Sequence, residues 1–253
     1  MTTIREIESD KKINITAAKF SCDDEDTSIP NPLPRKGGFA MLITGKPGSG
    51  KSTLLLSLLC KSGKAFNRKF DRVYLFSPSL ATMSDDPFEL IPDDQKFTDV
   101  TIENLEFVLS EIEESGEKVL LVLDDVIADI RGKGKGLIEN KLHKIFFNRR
   151  HLCGAGGSCS IMATSQSYNK IDPKLRKTAS HCIFYKNLNK KEQDSIFDEI
   201  ILIPRKEYAD VCKYVYDKKH QFMFIDTNQN PDNMLYKNFN QLEVSSDNIV
   251  SYW

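Results

Sequence analysis

The chain has 253 residues, with 35 Lys and Arg against 36 Asp and Glu and a formal net charge of -1. That balance excludes a global basic field, so any nucleic-acid contact must come from local patches. No apolar run approaches the ~20 residues that span a bilayer, and Met1-Thr2-Thr3-Ile4-Arg5-Glu6 has no signal-peptide core, so a soluble protein in a reducing compartment, with no membrane partner, is expected. The six cysteines are scattered and none forms C-x-x-C. Cys60, Cys159 and Cys182 fall in predicted helix or strand, where free Cys acts as a small buried hydrophobe, so a structural zinc is not expected.

Residues 1–36 read as an extension outside the core. Cys22-Asp23-Asp24-Glu25-Asp26 is an acidic run, and Pro30, Pro32 and Pro34 follow closely. Such stretches resist packing, although Ile13, Ile15 and Phe20 are apolar enough to lie along a domain. The core is expected over 37–226, and 227–253, rich in Asn and Asp, is read as a tail with no assigned role.

Within the core, short apolar runs alternate with helical spacing. Phe39–Thr44 reads as a buried strand and Thr53–Cys60 as a helix with an apolar face. Between them Gly45-Lys46-Pro47-Gly48-Ser49-Gly50-Lys51-Ser52 fits G-x-x-x-x-G-K-[ST], the P-loop pattern, and Thr53 follows it. Glycines let backbone N–H groups turn inward around phosphates, and the helix N-terminus adds its positive end. Lys51 is expected to reach the β- and γ-phosphates, and the Ser52 hydroxyl to sit on Mg²⁺.

Further strands are read at Arg72–Ser77, Lys118–Leu123, Ser158–Ser165, His181–Tyr185 and Gln221–Asp226. Helices are read at Ile102–Glu114, Leu137–His151, Pro173–Thr178, Lys190–Ile201 and Pro204–Lys218. This alternation predicts an α/β fold with a mostly parallel sheet flanked by helices.

Val119–Leu123 followed by Asp124-Asp125 fits the Walker B pattern. Asp124 is the expected Mg²⁺ holder, through water, and Asp125 the candidate to polarise an attacking water, with a solvated acid as the alternative. Gln166, closing the fourth long strand, points to the nucleotide crevice as a γ-phosphate sensor or a plain turn residue. Asn148-Arg149-Arg150-His151 ends a helix, where cations suit the dipole or supply an arginine finger to a neighbouring subunit. Arg131, Lys133 and Lys135, spaced by glycines, form a basic loop suited to a phosphate backbone or simply to water. Asn169-Lys170-Ile171-Asp172 matches N-K-x-D, but no D-x-x-G accompanies it, so it reads as a helix entry before Pro173.

Gly45–Ser52, Leu121–Val126, Asn148–Leu152 and Thr164-Ser165-Gln166 together resemble the poxvirus-type DNA packaging ATPases of the FtsK–HerA superfamily, over roughly 37–226. The resemblance implies a P-loop NTPase with an additional strand between the Walker A and Walker B strands. It implies ATP and Mg²⁺ as cofactors and a homo-oligomeric ring, pentamer or hexamer, that pumps double-stranded DNA into a preformed capsid at its vertex proteins. It implies work in the host cytoplasm, in the virus factory, or with the virion. Asp124, Asp125, Gln166 and Arg150 then act as metal holder, water activator, sensor and trans-acting finger, with Arg149 the second choice for the finger. A P-loop small-molecule kinase, or a nucleotide-binding assembly protein without strong hydrolysis, is the alternative.

Overall fold

The computed structural model describes residues 20–60, 65–81, 87–127, 130 and 134–244. It contains one nine-stranded sheet. Its strands are β1 (Ala40–Thr44), β2 (Arg72–Phe76), β3 (Lys96–Phe97), β4 (Lys118–Leu123), β5 (Ser158–Ser165), β6 (His181–Tyr185), β7 (Phe222–Asp226), β8 (Leu235–Lys237) and β9 (Asn240–Gln241), in the spatial order β3-β2-β4-β5-β1-β6-β7-β8-β9. The first six in that row pair parallel, and β7, β8 and β9 add antiparallel. The helices are α1 (Lys51–Leu59), α2 (Ile102–Ile112), α3 (Lys135–Asn148), α4 (Pro173–Arg176), α5 (Lys190–Ile200) and α6 (Arg205–Val215). The strand between the P-loop strand β1 and the Walker B strand β4 is β5.

The central strands are apolar at consecutive positions because both faces of the sheet are covered. Ala40 and Leu42 enter one core with Leu105 and Val108 of α2, Leu142 and Phe146 of α3, and Val211 and Val215 of α6. Met41 and Ile43, pointing the other way, enter a second core with Leu54, Leu55 and Leu58 of α1. The helices are unevenly shared, so α1 cannot cover its face alone. Ile29, Leu33, Phe66, Phe88 and Ile91 complete that layer.

Part of the segment 1–36 lies along the domain. Its described part carries the buried residues Cys22, Ile29 and Leu33, isolated apolar positions that show no periodicity until the sheet face is present. The chain beyond 226 also adds to the sheet. Residues 235–241 form β8 and β9, and Met234, Leu235 and Tyr236 are buried. Three apolar residues among Asn and Asp are too short a run to read as a strand, and only the free edge of β7 makes them one. Ile13, Ile15 and residues 245–253 lie outside the described residues, as do Arg131 and Lys133 of the basic loop.

The N-K-x-D stretch is a helix entry. Asp172 caps α4 by accepting from the Lys174 backbone N–H at 2.7 Å, with Pro173 in the first turn. Cys159 and Cys182 are fully buried strand residues, and burial pushes the Cys182 thiol up to about 12. No helix among the described residues is long and apolar enough to cross a membrane.

Candidate active site

The loop between β1 and α1 forms at the carboxyl edge of the parallel strands. Gly48 and Gly50 have φ of 74° and 110°, a region closed to most side chains. Gly45 is required for space instead, since a Cβ there would lie 2.5 Å from Ser49 Oγ and 2.8 Å from Tyr185 Cβ. Gly50 is the N-cap of α1 and offers no side-chain bond, so the first N–H groups of the helix stay available to an anion. Lys46, Pro47 and Ser49 complete the crest of the loop, and Ser52 and Thr53 occupy the first turn of α1.

Two residues that carry no recognisable sequence signal brace this crest from behind. The Tyr185 hydroxyl, at the end of β6, donates to the Gly50 carbonyl at 3.2 Å, and His220 Nδ1 lies 3.0 Å from the Ser49 carbonyl. In a planar trans peptide the C=O and the following N–H point in opposite directions. Holding these two carbonyls outward therefore turns the Gly50 and Lys51 N–H groups toward the phosphate side.

Lys51 is buried, donates to the Gly45 carbonyl at 2.8 Å, and lies 3.7 Å from Asp125 Oδ2. Gln166 Nε2 reaches the same carboxylate oxygen at 3.4 Å. The fold thus brings together Lys51 from α1, Asp125 beyond β4, and Gln166 beyond β5. Asp125 sits at φ 55°, a conformation that Asp tolerates better than most residues, and its backbone N–H donates to Thr164 Oγ1 at 2.9 Å. Its Oδ1 is buried and has no hydrogen-bond partner.

Asp124 points elsewhere and is buried. Thr164 Oγ1 donates to its Oδ1 at 2.7 Å and Ser77 Oγ to its Oδ2 at 2.9 Å. Thr164 therefore fixes both acids, accepting from one backbone and donating to the other carboxylate. Neither hydroxyl was expected from the sequence. The available signal was position, because Ser77 directly follows β2 and Thr164 is the penultimate residue of β5, the two strands that flank β4. Each Asp124 oxygen keeps a lone pair beyond its one hydroxyl. These oriented Asp124 carboxylate oxygens are hard donors of the kind that a divalent cation takes.

The two arginines separate cleanly. Arg149 donates from Nε to the Gly38 carbonyl at 2.8 Å, from one terminal nitrogen to the Phe146 carbonyl at 2.7 Å, and from the other to the Thr178 carbonyl at 3.0 Å. Burial, with help from the Arg150 charge, pulls this guanidinium below the ordinary arginine value. It ties the end of α3 to the start of β1. Arg149→Ala is expected to cost about 3 kcal/mol by leaving three carbonyls without a donor, seen as a lower urea midpoint with an unchanged slope. An unchanged midpoint would contradict that role.

Arg150 is 44% exposed and pairs with the Asp23 carboxylate, with the Phe20 ring 5.8 Å from the guanidinium carbon. It packs on Gly38, whose φ of 66° and missing Cβ admit the Arg150 Cγ. Gly38 precedes β1 and the P-loop follows it. Seven residues of extended chain, roughly 20 Å, therefore separate Arg150 from the loop of its own subunit. Lys135, the described cation of the basic loop, begins α3 and pairs with Glu139 at 3.5 Å.

Comparison with known proteins follows the same lines. The model of the family described as Poxvirus A32 protein matches residues 32–226. Among solved structures, the genome packaging NTPase B204 from Sulfolobus turreted icosahedral virus 2, in complex with AMP, is similar with a TM-score of 0.55 and 16% identity, over 81% of this chain and 98% of that one. The same protein in complex with ATP-γS gives a TM-score of 0.54 and 15% identity over the same shares. The pCW3 conjugation coupling protein TcpA in its monomer form with ATPγS gives 0.57 and 13%, over 83% of this chain and 61% of that one. At these identities the likeness is one of fold. No curated protein matches by sequence.

Proposed function

Because the chain belongs to the poxvirus A32 protein family, we propose that it is an ATP-driven motor that moves double-stranded viral DNA into a preformed capsid. The protein is an ATPase. The observation that carries the reading is the meeting of Lys51, Asp125 and Gln166 beside an uncapped helix N-terminus, with Arg150 presented on the opposite edge of the same subunit. The relatives in structure support it. B204 is a genome packaging NTPase solved with AMP and with ATP-γS, and TcpA is a conjugation coupling protein.

In this reading the P-loop N–H groups and Lys51 neutralise the β- and γ-phosphates. Mg²⁺ would be held by Ser52 and, through water, by Asp124, and it would supply further neutralisation of phosphate charge. Asp125 and Gln166 orient the attacking water. Asp125, 3.7 Å from the Lys51 ammonium, takes its proton. Arg150 cannot reach its own loop, so it acts on the nucleotide of a neighbour, which makes hydrolysis conditional on a homo-oligomeric ring of five or six subunits. Capsid vertex proteins are the docking partners, and the virus factory in the host cytoplasm, or the virion, is the place of work.

The test is ATP turnover by the full chain with and without double-stranded DNA. We expect DNA to stimulate turnover at least several-fold. Turnover indifferent to DNA, with the phosphate passed to a small acceptor, would replace the motor with a kinase.

A further inference from the structure

A cavity of about 440 Å³ opens on the flank of the P-loop away from the two acids. One wall is Lys46–Ser49, and the other is the turn between α6 and β7, from Tyr216 to Gln221. Its position follows from topology. β7 runs antiparallel to β6 and registers Phe222 against Tyr185, so the turn entering β7 stands at the same sheet edge as the end of β6. In the order β4-β5-β1-β6-β7 the P-loop strand is central. Asp125 and Gln166 stand on the β4–β5 side of it, and the cavity stands on the β6–β7 side.

A nucleoside triphosphate is extended, and its terminal phosphates belong at Lys51 and Asp125. The rest of the molecule must then leave the loop on the other side, where this cavity lies. Its volume is within the ~300–1,000 Å³ range of small-molecule sites. We propose, resting on the ATPase reading above, that the cavity receives the base and ribose of the bound nucleotide and that His220 is a residue that reads the base.

His220 is built for this position. It holds φ 63°, an uncommon conformation for a non-glycine residue, and is anchored by its contact with Ser49. A carbonyl only accepts, so Nδ1 carries the proton, and in the neutral ring Nε2 is then an acceptor, suited to an exocyclic amine such as that of adenine. The same ring touches the loop that holds the phosphates, so base occupancy and loop shape share one side chain.

Inorganic tripolyphosphate, which has phosphates but no base, separates the two roles of this side chain. The measurement is the affinity of the full chain for ATP and for tripolyphosphate, each with Mg²⁺, in wild type, His220→Gly and His220→Asn. Both replacements tolerate the positive φ, so at least one is expected to fold. Both ligands lose the loop brace and ATP loses the base contact as well, so the expected result is a loss of ATP affinity about tenfold, 1.4 kcal/mol, greater than the loss of tripolyphosphate affinity. Equal losses for both ligands, or no loss for ATP, would overturn the proposal. Wild type that binds neither ligand would instead remove the nucleotide reading on which it rests.

Discussion

Arg150→Ala lowers DNA-stimulated ATP turnover by about 10³-fold or more, the contribution typical of an arginine finger, and leaves ATP affinity unchanged. The expectation follows from where the side chain stands. Arg150 is at the amino edge of β1, roughly 20 Å from the P-loop at its carboxyl edge. Its partners here are Asp23 and Phe20 of the N-terminal segment, and none of the P-loop residues. Arginine is always charged and presents a rigid fork of donors, so it can pair with a carboxylate in one setting and a phosphoryl group in another. The substitution removes an exposed side chain and should barely move the urea midpoint, in contrast to Arg149→Ala. Unchanged turnover in the assembled protein would remove Arg150 from the mechanism.

Asp125→Asn is expected to reduce the hydrolysis step by about 10²–10⁴-fold, the range for loss of a general base, again with ATP still bound. Asn has the same size, tolerates φ 55°, and keeps the backbone bond to Thr164, so the effect isolates the carboxylate. Single-turnover hydrolysis of pre-bound ATP is the measurement. A variant that hydrolyses at the wild-type rate would assign water activation to another group and leave Asp125 as a partner of Lys51.

The parts of the fold legible in the sequence are those whose cause is local. The P-loop is written in eight consecutive residues, and its glycines are required by φ at two positions and by space at a third. The central strands show as apolar runs because both sheet faces are covered. What stayed hidden depends on distant partners. β8 is three residues long and exists only because β7 offers a free edge. Arg149 and Arg150 are adjacent and chemically identical, and only the carbonyls of Gly38 and Thr178, far off in the chain, turn one into a structural tie. Thr164 and His220 escaped for the same reason. Each is one polar side chain whose partner is brought beside it by the sheet.

The measurement that tests the account most directly mixes two inactive variants. Lys51→Ala removes phosphate neutralisation from its own site, and Arg150→Ala removes the finger offered to a neighbour. Each alone is expected to be inactive with DNA. In mixed rings an Arg150→Ala subunit contributes an intact P-loop, and an adjacent Lys51→Ala subunit contributes an intact Arg150, so some composite sites are complete. Turnover that reappears on mixing and peaks near equal proportions is the predicted result. A mixture as inactive as its two components would contradict a nucleotide site completed by a neighbouring subunit.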